Sequence, residues 1–200
     1  MSDDKRESSA PRPSMYASAS RPRVIVNPTQ RVLYADDGLV MAEVGNTCVA
    51  IWRAQPIRFL FDRQVSALCD VISNHTDPIG FMCIVEAKTP APDDNIRKAS
   101  AEMLTSRKKH LACVAGVIAD RGFTSAITRS VMVSMAFVLS RGDFRVKFTD
   151  SVERAAIWMS NYVELGATST YCGTIESYRS LLASPSVSPP SEQESYSSRA

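Results

Sequence analysis

Apolar positions along this chain gather into runs more often than they alternate. From Leu111 the sequence reads LACVAGVIA before Asp120, Arg121 and Gly122, and Ala112–Ala119 holds only apolar residues and glycine. A strand with one wet face alternates apolar and polar residues. A continuous run predicts a strand covered on both faces, the habit of parallel sheets sandwiched by helices. Gly80–Val85 (GFMCIV) repeats the pattern and stops at Glu86. Earlier, Val32–Ala35, Leu39–Val44 and Thr47–Arg53 read as short strands. They are divided by the turn signals Asp36-Asp37-Gly38 and Gly45-Asn46, which form an antiparallel meander.

Helical spacing fills the intervals. Phe61, Val65, Leu68 and Ile72 share one face of a helix that opens near Pro56. Asp93 or Asp94 caps a polar helix, Asn95–Lys109, whose narrow apolar face is Ile96, Ala99, Met103 and Leu104. A helix apolar nearly all round runs from about Thr124 to Ser140. Phe144–Phe148 is the last strand. Asp150 and Glu153 then stand at N-cap and N3 spacing ahead of a helix that turns Val152, Ala155, Ala156 and Met159 inward. The order β-β-β-α-β-α-β-α-β-α predicts an α/β fold, a mostly parallel sheet with an antiparallel N-terminal hairpin and helices on its faces.

Composition sets the limits of this domain. Residues 1–29, rich in Ser, Pro and Arg, and residues 166–200, rich in Ser, Thr and Pro, lack the apolar groups to offset ordering entropy. They are expected as largely disordered tails around a domain at 30–165. The net charge of +2 is too small to argue for nucleic acid by field strength. No apolar stretch reaches the roughly 20 residues a membrane span needs. The N-terminus has no apolar segment of the secretory kind. Five cysteines, an odd number with no CxxC pair, predict a reduced cytoplasmic protein without structural zinc. No cofactor motif is present: there is no GxGxxG after the first strand and no Walker lysine.

Ligands on open α/β sheets gather at the carboxyl ends of the strands. That edge is expected to carry Glu86, Thr89, Asp120 and Arg121, although Asp120 and Asp150 also stand where helix caps belong. His75 and His110 fall at the opposite edge, so no nucleophile–base pair forms and no catalytic residue is assigned. Cys113, in mid-strand, reads as core. Helix 124–140 has more apolar residues than one sheet face can cover. Arg129, Met132, Val133 and Ala136 are therefore expected at an interface, either with a protein partner or in a homodimer through that helix.

The opening hairpin, the strand–helix alternation and the ending FRVKFTDSVERAAIWM resemble the STAS domain, the fold of anti-sigma-factor antagonists, over about Arg31 to Val163. Gly122-Phe123, Ala126 and Arg129 are similar to a stretch of STAS/SEC14-like proteins. Antagonist STAS domains open their second helix with an Asp-Ser-Ser/Thr-Gly type motif that a kinase phosphorylates. Here Glu86-Ala87-Lys88-Thr89-Pro90 stands in its place, so the phospho-switch does not carry over. The resemblance implies a non-enzymatic protein-interaction module of bacterial regulation, working by surface contact. The alternative it implies is a small-molecule or lipid binder of the SEC14-like type, with a pocket between the sheet and the helix carrying Phe59 to Ile72. An enzyme at the Glu86/Asp120/Arg121 edge ranks last.

Overall fold

The structure, a computed structural model, describes residues 30–119 and 145–181. The helix expected at Thr124–Ser140 lies outside the described residues. So do Asp120, Arg121, Arg129, Met132, Val133 and Ala136, and the two ends of the chain.

Six strands form one sheet in the order of the sequence: β1 (Gln30–Ala35), β2 (Leu39–Val44), β3 (Thr47–Trp52), β4 (Ile79–Val85), β5 (Leu111–Ile118) and β6 (Val146–Thr149). β1, β2 and β3 pair antiparallel, and β3 through β6 pair parallel. The fold is α/β, with a mostly parallel sheet and an antiparallel N-terminal part. Asp36 Oδ1 accepts from the backbone N–H groups of Gly38 and Leu39 at 2.8 Å and so builds the first turn. Gly45, at φ 57°, supplies the left-handed residue of the second.

Helix α1 (Arg58–Asn74) and helix α2 (Asp94–Ser106) connect β3 to β4 and β4 to β5. Right-handed crossovers that advance in one direction across a sheet place both helices on the same face. Their core gathers Leu39, Met41, Ala50, Trp52, Phe81 and Val114 from the sheet with Phe61, Leu68, Ile96 and Leu104 from the helices. Helix α3 (Val152–Met159) and helix α4 (Thr168–Leu181) cover the other face, against Val40, Val49, Ile51, Met82, Ile84 and Val117. Neighbours along β2 and β3 go to opposite cores, which is why both strands are buried at every position. β5 is an inner strand between β4 and β6, buried at all but Ala112.

Several local readings shift. The buried stripe of α1 is Leu60, Phe61, Gln64, Ala67, Leu68 and Val71, with Val65 and Ile72 only at its margin. Asp93 is the cap of α2, accepting from Ile96 N at 2.8 Å, and the cationic end becomes a separate turn of 3-10 helix, Lys108–His110. The cap of α3 is Ser151, not Asp150: its side chain accepts from Arg154 N, while Asp150 is held by the Arg154 guanidinium at 2.9 Å. The expected tail from residue 166 begins later, because Thr168–Leu181 is helix α4, seated by Tyr171 and Ile175, which are 2% and 0% exposed.

α3 comes close to the sheet at Gly80 of β4. A Cβ there would stand 2.5 Å from Met159 Cε and 2.8 Å from Thr47 Cγ2. Gly80→Ala is expected to lower stability by about 1–2 kcal/mol, the cost of overpacking eased by the flexible methionine. Urea unfolding measures it, and a variant as stable as the parent would show that α3 gives way freely.

Candidate functional site

On the α1/α2 face, toward the carboxyl ends of the parallel strands, the two helices do not close completely onto the sheet. They leave a cavity of about 90 Å³. Its floor is Phe81 and Cys83 of β4 with Val114 and Gly116 of β5. Phe61 and Gln64 of α1 form one side, and Ile96, Ser100, Met103 and Leu104 of α2 the other. Val146 and Phe148 of β6 reach its far end, and the exposed Pro90 and half-buried Pro92 mark its mouth, with the buried Pro56 and Thr89 behind them. The cause is in the sequence. α2 is the polar helix, with only Ile96, Met103 and Leu104 fully buried, so among the described elements it brings little apolar volume to the space over β4 and β5.

The polar groups in the lining are spent on each other. Trp52 Nε1 donates to Gln64 Oε1 at 2.8 Å, and Gln64 Nε2 turns to Met103 Sδ at 3.6 Å. The Thr89 hydroxyl donates to Trp52 O at 3.1 Å, and the Ser100 hydroxyl to Ile96 O at 2.7 Å. Cys83 is partly exposed, and it lines the cavity. Burial pushes its thiol up to about 12, so it stays neutral at ordinary pH. Among the described residues, the lining therefore offers apolar and sulfur surface without a free charge.

Of the residues read from the sequence as an edge site, Glu86 and Thr89 are described, and they have different partners. Glu86 faces the other side of the chain's turn and is gripped by Arg179 of α4, Nε to Oε1 at 2.5 Å and Nη2 to Oε2 at 2.6 Å. Thr89 is 3% exposed: Lys88, at φ 67°, turns the chain so that the threonine faces inward to the cavity mouth. His75 and His110 stand at the opposite edge, as their positions before β4 and β5 require. Cys113 is core, 1% exposed, and burial pushes its thiol up to about 12.

That opposite edge holds a group that alternation alone does not announce. Glu43 of β2, 2% exposed, points to the α1 side with Leu39 and Met41. Its carboxylate accepts from Arg31 Nε at 2.7 Å and from His75 Nε2 at 2.9 Å. A carboxylate only accepts, so Nε2 carries the hydrogen in that bond. The legible signal was a single acid inside an apolar run, LVMAEV. No family model matches the chain, and no match is found among curated proteins or among solved structures.

Proposed function

We propose that this protein is a non-enzymatic binding protein that takes a small apolar ligand, or the apolar end of a larger one, into the cavity between the sheet and helices α1 and α2. One observation carries the reading: the described walls of the cavity of about 90 Å³ are apolar, and their few polar groups are already paired. Dry apolar cavities somewhat larger than this take up a benzene-sized molecule. Among the described lining residues no donor or acceptor is left free, which favours a hydrocarbon chain or ring over a polar metabolite. Glu86 supports the non-catalytic part of the reading, since both its oxygens are taken by Arg179. The SEC14-like side of the resemblance agrees with a ligand held between α1 and the sheet, and the α/β layout supports the STAS-like family reading as part of the proposal.

Trp52 lines the cavity, and Trp158 belongs to α3 on the other core, so a Trp158→Phe background isolates the reporter. Iodobenzene titrated into that variant is expected to quench Trp52 saturably, with a Kd of about 0.1–1 mM, a binding energy of about 4–5.5 kcal/mol that lies well inside the ceiling of about 1.5 kcal/mol per heavy atom. Quenching that rises linearly without saturation would reject the binding site.

A second reading, a protein-interaction module working by surface contact, has its own observation. Ile57 and Phe59, 53% and 54% exposed, both lie where α1 begins, next in sequence to Pro56 of the cavity lining. Changing both to serine should abolish partner capture from native cell extract in that case, and leave iodobenzene quenching in place.

A further inference from the structure

Helix α4 is a poor helix by composition. Its first seven residues, TSTYCGT, are all weak helix formers, so packing and pairing must hold it in place. Tyr171 and Ile175 dock one end on the sheet, and the Tyr171 hydroxyl lies 2.9 Å from the Thr47 hydroxyl. The other end is fixed by Arg179. Its guanidinium takes both oxygens of Glu86, it also bonds Glu176, and its carbonyl accepts from the Arg53 side chain. The Arg179 and Glu86 side chains are only 23% and 17% exposed, unlike the Arg58–Asp62 pair at 75% and 54%. A shielded bidentate pair belongs to the strong class.

Glu86 is the hinge of the turn that becomes the cavity's mouth. Its N–H donates to Trp52 O at 2.9 Å, and its carbonyl accepts from Thr89 N at 3.2 Å. Between them Lys88 sits at φ 67°, a conformation that costs a non-glycine residue free energy unless its surroundings hold it. Thr89, Pro90 and Pro92 then wall the mouth. Arg179 thus grips, from outside, the residue on which this strained turn depends.

Taking the cavity as the binding site, as above, we propose that Arg179 is a positioning residue that acts through Glu86 to hold the 87–92 wall over the cavity. By this route helix α4 controls entry of the apolar ligand. Docking of α4 and occupancy of the cavity then favour each other, since coupling between two sites is reciprocal.

Cys83 supplies a readout that needs no ligand. Cys69 is exposed and Cys172 partly so, while Cys48 and Cys113 are 0% and 1% exposed. In a C69S/C172S background, methyl methanethiosulfonate should label the partly exposed Cys83 at a basal rate that rises when the wall opens. Arg179→Gln and Glu86→Gln are each expected to speed labelling about tenfold or more, the scale of losing a charge-assisted bidentate pair. The double variant should be no faster than either single one, because both remove the same interaction. Tyr171→Phe, which removes only the hydroxyl contact with Thr47 and leaves α4 docked by the ring and Ile175, should change the rate less than twofold. Unchanged labelling in Arg179→Gln, additive rates in the double variant, or equal acceleration by Tyr171→Phe would each overturn the proposal. Iodobenzene quenching of Trp52 is scored separately. Quenching with no change in labelling defeats the latch and keeps the site; a labelling change without saturable quenching defeats the ligand reading, and with it control of ligand entry.

Discussion

Removing both partners of Glu43 together, as Arg31→Met with His75→Phe, is expected to cost about 3 kcal/mol. The carboxylate is 2% exposed, and its two oxygens are held by Arg31 and His75 at 2.7 and 2.9 Å. Breaking a buried ion pair by deleting partners leaves an uncompensated charge and typically costs 3–5 kcal/mol. The lower end applies here because the Arg31 side chain is 44% exposed and water can replace part of what it gives. That loss is a large fraction of the roughly 5–15 kcal/mol of a folded domain. Adding Glu43→Leu to the double variant should recover most of it. Leucine would extend the row of Leu39 and Met41, and replacing a whole buried ionic group with apolar residues is often neutral or better. Urea unfolding of the double and triple variants decides. A double variant within 1 kcal/mol of the parent would mean that Glu43 does not depend on these partners. A triple variant no better than the double would mean that shape, not charge, is what the edge loses.

The sheet was legible because burial on both faces writes itself as unbroken apolar runs, and β4 and β5 end where those runs end, at Val85 and just before Ala119. The inward residues of α3 were legible for the same reason: Val152, Ala155, Ala156 and Met159 are all buried. Its cap was not, because Asp150 and Ser151 are both cap-competent, and it is Ser151 that accepts from Arg154 N while Asp150 pairs with the Arg154 guanidinium. Helix α4 was hidden by a Ser/Thr-rich composition, yet Tyr171, Ile175 and Tyr178 keep an i, i+4, i+7 spacing inside it. Glu86 was singled out as an edge carboxylate, but its partner lies 93 residues away, beyond the reach of any local pattern. The cavity had only an indirect sign. A void is a shortfall of volume summed over distant side chains, and the nearest hint was the meagre apolar face of α2.

That shortfall makes the second large effect one of opposite signs. Ser100 lines the cavity from α2, and its hydroxyl merely returns to Ile96 O. Ser100→Leu would place three more carbon atoms into a space of about 90 Å³. Iodobenzene quenching of Trp52 should then weaken at least tenfold, because the ligand and the leucine compete for one volume. Stability should rise, by up to about 2 kcal/mol, from ~24 cal/mol for each Å³ of cavity filled. Loss of serine costs little here: it removes a hydroxyl from a carbonyl that the helix already satisfies, and leucine is the better helix former. A cavity that is only a packing defect gains stability on filling and has no function to lose. A binding cavity gains stability and loses its ligand, the trade expected where function requires an under-packed site. If Ser100→Leu is destabilised, the space over β4 and β5 is too narrow for the added carbons. If it is stabilised and quenching is unaltered, the apolar ligand binds elsewhere and the proposed function falls.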